Sequence, residues 1–147
     1  MTDIKQTRDT LSTTYQDALK IRYEVFVKEQ GVPYSLEVES PVEEAAAIHF
    51  VAYDHGEAIG TVRLLTRDDH ATLVQRMAVR KPYRNQGYAS DLLNAALSCA
   101  KTAGIQELTL HAQLTAHDFY SRFGFEDVGS PFEEAGIQHI TMQKTLD

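Results

Sequence analysis

Residues 84–89 read RNQGYA and lie between a strand-like segment and the most regular helical pattern in the chain. A turn that leads into a helix exposes unpaired backbone N–H groups, and the helix dipole adds positive charge there. Such turns bind anions, phosphate groups among them. Gly87 lets the backbone approach a ligand closely, and four cations lie within residues 76–84. This stretch therefore predicts an anion site at the start of a helix.

Composition narrows the class of protein. The 147 residues carry 14 Lys and Arg against 21 Asp and Glu, a net charge of −7. That charge disfavours nucleic-acid binding and suits a cationic partner. The apolar stretches are shorter than the roughly 20 residues of a membrane span, and the single cysteine, Cys99, excludes an intrachain disulfide. We expect one cytoplasmic domain over residues 1–147, with no membrane, nucleic-acid or metal partner; a homodimer is left open.

The hydrophobic pattern predicts an α/β domain in which helices flank one mixed, mostly antiparallel sheet. The predicted helices are Thr14–Glu29, Tyr88–Ala103 and Thr115–Phe123. The predicted strands are Ile48–Tyr53, Ala58–Leu65, Thr72–Val79, Leu108–Ala112, Phe125–Val128 and Gln138–Lys144. A polar loop is expected at residues 67–70, and a longer one at residues 31–46 with a short helical turn at Val42–Ala47.

The longer loop is acidic and contains Glu37, Glu39, Glu43 and Glu44. These side chains can be ordinary solvated charges, or they can form an acidic rim that attracts a cationic substrate. The sequence leaves both interpretations open.

Two blocks resemble the GNAT superfamily of acetyl-CoA-dependent N-acetyltransferases. RNQGYA matches its Gln/Arg-x-x-Gly-x-Gly/Ala turn, and the preceding strand, Gln75–Val79, resembles the strand that pairs with the pantetheine arm. Residues 116–125, AHDFYSRFGF, resemble its Ala-x-x-x-Tyr-x-x-x-Gly-Phe block. Residues 21–30, IRYEVFVKEQ, and 132–142, FEEAGIQHITM, are similar to the ElaA group of that superfamily, with Gln138 where the group has proline.

This resemblance implies transfer of an acetyl group from acetyl-CoA, the cosubstrate, to a primary amine of a small molecule or peptide. A non-catalytic acyl-CoA-binding or regulatory domain, or a protein that retains only the fold, is the alternative. The resemblance also implies a coenzyme site. Its residues would be Met77, Ala78, Val79, Arg84, Asn85, Gln86, Gly87, Tyr88, Ala89, Ser90 and Gln113, the last in place of the usual asparagine.

Acetyl transfer requires a neutral amine, a donor to the oxyanion and a proton for the departing thiolate. At pH 7 a free lysine amine is neutral in roughly one molecule in two thousand, so the site needs a base. The resemblance makes Tyr120 the general acid. The strand Thr72–Val79 has no carboxylate where many family members carry their base, so the remaining candidates for the base are His111, His139 and Glu133.

Overall fold

The computed structural model describes residues 2–37, 40–67 and 71–146. Within these ranges, seven strands form one mixed sheet in the order β1-β2-β3-β4-β5-β7-β6, in which only β4 and β5 are parallel neighbours. The strands are β1 (Thr2–Thr7), β2 (Ile48–Asp54), β3 (Glu57–Thr66), β4 (Thr72–Val79), β5 (Glu107–Gln113), β6 (Glu126–Glu134) and β7 (Ile137–Thr145). The predicted mixed, mostly antiparallel sheet is confirmed.

Helices cover both faces of this sheet. They are α1 (Thr13–Arg22), which continues as a π-helical segment (Tyr23–Glu29), α2 (Tyr34–Glu37), α3 (Pro41–Ala46), α4 (Tyr88–Thr102) and α5 (His117–Arg122). Among the described residues, no helix is both long and apolar enough to cross a bilayer. The predicted helix Thr14–Glu29 corresponds to α1 and the π-helical segment together. It is one continuous helical stretch whose second half is wound more loosely.

The two long helices pack on opposite faces because side chains alternate along each strand. Val51 of β2 packs with α1, whereas its neighbours Phe50 and Ala52 belong to the larger core that contains α4. The buried stripe of α4 is apolar and consists of Leu92, Leu93, Ala96 and Ala100. We call the two sides of the sheet the α1 face and the α4 face.

The prediction missed one strand and ended another too early, both at the edges of the sheet. β1 was not predicted, because Thr2–Thr7 contains one aliphatic residue, Ile4, and its strand form depends on pairing with β2. β6 does not end at Val128. It continues to Glu134 through an irregularity between Val128 and Phe132, and the proline there, Pro131, is compatible with an edge strand.

The acidic loop also contains more structure than predicted. It includes α2 as well as α3, and α3 corresponds to the expected turn at Val42–Ala47. Ser40 caps α3 by accepting a hydrogen bond from the Glu43 amide at 3.2 Å. Glu39 and residues 68–70 of the predicted polar loop lie outside the described residues.

Candidate active site

A cleft of about 890 Å³ opens where β4 and β5 separate. The two strands pair only over Thr72–Val74 and Leu108–Leu110, and beyond these residues no register joins them. Ligands of α/β proteins bind outside the carboxyl ends of parallel strands, which is where this gap lies. Because the gap passes between two strands, residues from both faces of the sheet line one cavity.

An irregularity in β4 lies at the same place. The register with β3 passes from Thr61↔Ala78 to Arg63↔Gln75, so that two residues of β4, Arg76 and Met77, oppose one residue of β3. Arg76 has a φ of +59°, a backbone conformation that residues other than glycine rarely adopt. Such bulges redirect side chains near active sites. Met77, Ala78 and Val79, predicted to contact the coenzyme, all line the cleft.

The predicted anion turn forms the next wall of the cleft. Gly87 has a φ of +91° and is the N-cap of α4. Since the cap supplies no side-chain acceptor, the first N–H groups of α4 lack helical partners. The turn residues that line the cleft are Arg84, Asn85, Gly87, Tyr88, Ala89 and Ser90. Gln86 does not line it, and its side-chain amide donates to the Pro82 carbonyl at 3.3 Å.

Arg84 holds this turn in place. Its Nε donates to the Val79 carbonyl at 2.8 Å, and its two terminal nitrogens donate to the carboxylate of Glu29 at 2.6 and 2.7 Å. This bidentate pair raises the pKa of Arg84 and lowers that of Glu29. The positive charge of Arg84 is therefore shared with the carboxylate of Glu29, which lies at the end of the π-helical segment.

The next residue, Gln30, reaches the other wall. Its side chain exchanges hydrogen bonds with that of Gln113 at the end of β5, at 3.0 and 3.5 Å. Glu29 and Gln30 are the Glu-Gln pair of the ElaA-like block at residues 21–30. This block therefore connects the two walls of the cleft.

Tyr120 lies on the α4 face of the cleft. Its ring packs in edge-to-face geometry against Phe119 and Phe125, at centroid distances of 5.1 and 6.0 Å, and only 7% of the residue is exposed. No described residue hydrogen-bonds to its hydroxyl, and the residue lines the cleft. Burial raises the pKa of the phenol above its ordinary value, so it keeps its proton at neutral pH.

The α1 face of the cleft carries a group of two histidines and a carboxylate. His111 Nδ1 lies 3.1 Å from Glu134 Oε1, and His139 Nε2 lies 3.9 Å from Glu134 Oε2. His139 Nδ1 lies 2.7 Å from the Ile137 carbonyl, which can only accept, so in the neutral ring the lone pair is on Nε2. The hydrogen bond from His111 lowers the pKa of Glu134, and the charge of Arg76 acts in the same direction.

The carboxylate that lines the cleft is not the predicted Glu133. Both residues are exposed, but Glu134 lines the cleft and Glu133 does not. Phe132 pairs with His139 across β6 and β7, and alternation along β6 places Glu134 on the same side. Glu134 also lies two residues before Gly136 in the ElaA-like block at residues 132–142, so both the alternation and the block could have identified it from sequence.

The acidic loop supplies the carboxylates of a buried ion cluster, which consists of Glu37 and Glu44 with Arg22 of α1 and Arg63 of β3. Arg22, only 1% exposed, donates to Glu37 at 2.6 Å and to both oxygens of Glu44 at 2.8 Å. Burial opposes the ionisation of Glu44, but the hydrogen bond and charge of Arg22, aided by Arg63, lower its pKa to about 2.

Neither sequence interpretation of the acidic loop therefore holds for Glu37 and Glu44. Both are buried among arginines instead of being solvated or free to attract a cation. Glu43 is paired with Arg67 at 2.9 Å near the surface.

Comparison with known proteins identifies the family. A model of the acetyltransferase (GNAT) domain matches residues 10–146. The chain belongs to the GNAT family. YjcF of Bacillus subtilis, an uncharacterized N-acetyltransferase, is 34% identical over 130 residues, which cover 88% of this chain and 91% of YjcF.

Solved structures of GNAT relatives superimpose closely on this chain. An acyl-CoA N-acyltransferase from Pseudomonas aeruginosa has a TM-score of 0.86 at 28% identity, covering 98% of this chain and 99% of its own. Escherichia coli ElaA has a TM-score of 0.85 at 26% identity, covering 98% and 99%. These matches confirm the predicted resemblance to the GNAT superfamily and its ElaA group, and this GNAT protein is an acyltransferase.

Proposed function

We propose that this GNAT protein transfers an acetyl group from acetyl-CoA to a primary amine of a small molecule or peptide. One observation carries the proposal: the gap between β4 and β5 joins a buried tyrosine on the α4 face to two histidines and a carboxylate on the α1 face. An acid and a base candidate thus border one cavity from opposite sides, as a transfer between two separately bound substrates requires.

The donor would occupy the α4 side. Its pyrophosphate would accept hydrogen bonds from the unpaired N–H groups at Gly87–Ser90, where the dipole of the 15-residue helix α4 favours negative charge. Its pantetheine arm would lie along the part of β4 that has no β5 partner, between Gln75 and Val79. Arg84 would act mainly by fixing the turn, because its guanidinium is already shared with Glu29.

The chemistry balances with the groups at hand. An ammonium acceptor gives one proton to a base, and the resulting amine nitrogen attacks the thioester carbonyl carbon. A backbone N–H of residues 75–79 stabilises the oxyanion. The C–N bond forms, the C–S bond breaks, the nitrogen releases a second proton, and the thiolate takes the proton of Tyr120. The products are an N-acetyl amide, coenzyme A and one released proton, after Tyr120 regains its own from solvent.

His111 is our candidate for the base. Glu134 accepts from its Nδ1–H, which leaves Nε2 as the lone-pair nitrogen. Because His111 keeps the pKa of Glu134 low, the carboxylate stays ionised and also attracts an ammonium group. His139, whose Nε2 lone pair faces Glu134, is the second candidate.

The test is release of free thiol from acetyl-CoA over a panel of amines, with Tyr120→Phe beside the wild type. We expect a loss of kcat of about 100-fold or more, the usual contribution of a general acid. Phe119→Leu, which alters the same aromatic packing, controls for disturbance of α5. An unchanged kcat in Tyr120→Phe would remove the phenol from catalysis. Calorimetric binding of acetyl-CoA without turnover of any amine would favour the non-catalytic alternative.

A further inference from the structure

The buried ion cluster and its neighbours Glu43, Arg67 and Arg76 together hold one more cation than carboxylate. Arg22, Arg63, Arg67 and Arg76 pair with Glu37, Glu43 and Glu44, and three carboxylates cannot neutralise four guanidinium groups. Burial lowers the pKa of Arg63 to about 10, and the charge of Arg76 is the next largest cause. A surplus positive charge thus remains at the α1-face end of the cleft.

Arg76 is the member of this set that reaches the cleft with donors to spare. The strained bulge in β4 orients its side chain, which is 25% exposed. Its Nε lies 3.3 Å from Glu37 Oε1, and its Nη2 donates to the Glu37 carbonyl at 3.2 Å. No described residue contacts its Nη1 by a hydrogen bond or ion pair.

The two neighbouring arginines are already paired. Arg67 binds Glu43 near the surface, and Arg63 donates to Gln75 and Glu44 and lies 3.9 Å from Glu43. Across the cleft stands Glu134, close enough for the charge of Arg76 to act on it, between His111 and His139. On the α1 face, a cation with an unpaired donor, Arg76, and an ionised carboxylate, Glu134, therefore line the same cavity.

We propose that the acceptor is a zwitterion of the amino-acid class, whose ammonium group binds at Glu134 and His111 and whose carboxylate binds Arg76. Arginine is suited to this role because its planar guanidinium makes directed, charge-assisted hydrogen bonds to carboxylates. The inference rests on the proposed acetyl transfer and specifies its acceptor. It also replaces the simpler expectation that an acidic protein takes a purely cationic acceptor.

The experiment compares acceptors that differ only in the carboxylate: leucine, leucinamide and 3-methylbutylamine, each with acetyl-CoA. For the wild type we expect kcat/KM to be about tenfold or more higher for leucine than for 3-methylbutylamine. Arg76→Gln should remove this preference through the KM for leucine and change 3-methylbutylamine little. Arg76→Lys, which keeps the charge, should retain part of the preference. Arg67→Gln, which removes a rim charge already paired with Glu43, should leave it unchanged.

Each alternative outcome has a definite reading. A wild type that prefers 3-methylbutylamine, or an Arg76→Gln variant that loses both substrates equally, overturns the assignment. A wild type that uses succinyl-CoA better than acetyl-CoA with 3-methylbutylamine, in an Arg76-dependent way, places the carboxylate on the acyl group and also overturns it. If no amine is acetylated, the proposed function fails. Calorimetric binding of leucine in the presence of coenzyme A, with or without Arg76, then decides the present inference separately.

Discussion

Substitution of Glu44 by glutamine should destabilise the protein strongly, and the effect should depend on pH. Glu44 accepts hydrogen bonds from Arg22, Arg63 and Tyr15, and it is almost fully buried. Glutamine has nearly the same shape but no charge, so it stands for the protonated carboxyl group. The variant therefore measures how much the ionised Glu44 carboxylate contributes to the free energy of unfolding.

The magnitude follows from the pKa of Glu44, which falls from 4.5 to about 2 on folding. At 1.36 kcal/mol per pKa unit, this difference corresponds to about 3.4 kcal/mol at pH 7. Because the folded-state pKa is the lower one, this stability is fully present above about pH 4.5 and is lost as the pH falls through about 2. At pH 3 the same linkage relation leaves about 1.4 kcal/mol.

The measurement is the free energy of unfolding in urea at pH 7 and pH 3 for wild type and Glu44→Gln. We expect the variant to be less stable by about 3 kcal/mol at pH 7 and by about 1 kcal/mol at pH 3. The control is Glu43→Gln in the same helix, whose partly exposed pair with Arg67 is worth about 1 kcal/mol or less. A Glu44→Gln variant as stable as wild type, or a difference that does not change with pH, would refute the reasoning.

Two further substitutions test the turn and the sheet. Gly87→Asp should weaken coenzyme A binding by about tenfold or more, because it strains a positive φ and places a negative charge at the helix N-terminus. The control is Gly56→Asp, at a φ of +78° in the β2–β3 hairpin, which should lose stability without losing affinity for coenzyme A. If calorimetry gives the two variants equal affinities for coenzyme A, the anion site is contradicted. Gly60→Ala should lower the free energy of unfolding by about 1–3 kcal/mol, since its Cβ would lie 2.9 Å from Leu92 Cδ1 and 3.2 Å from the Ala78 carbonyl oxygen. A denaturation midpoint equal to that of the wild type would show that α4 shifts to accept the added methyl group without loss of stability.

The sequence predicted those parts of the molecule whose signals are local. The apolar stripe of α4 and the glycine turn before it depend on neighbouring residues, so the helix and its N-cap were found close to their true positions. Tyr120 was placed by the spacing of its block, and the structure puts it in the wall of the cleft. Its role in catalysis stays a prediction.

The parts that sequence reasoning missed depend on distant partners. β1 is a strand because β2 lies beside it, and its own residues carry no strand pattern. Glu44 belongs to an acidic run that resembles a surface loop, and only the fold brings Arg22 and Arg63 against it. Arg76 was counted among the cations near the anion turn, but the bulge in β4 directs it to Glu37 on the α1 face instead.

The separation of β4 from β5 lets the two faces of the sheet supply different walls of one cleft. On the α4 face, the turn at Gly87 and Tyr120 form the wall that would bind the acetyl donor in the proposed reaction. On the α1 face, the wall comes from α2, β6 and β7, which are short, near the edge of the sheet, or both. In the proposed reaction, substitutions in these elements would change the acceptor site and leave the donor turn at Gly87 in place. The same split sheet could thus serve different acceptors with one acetyl donor.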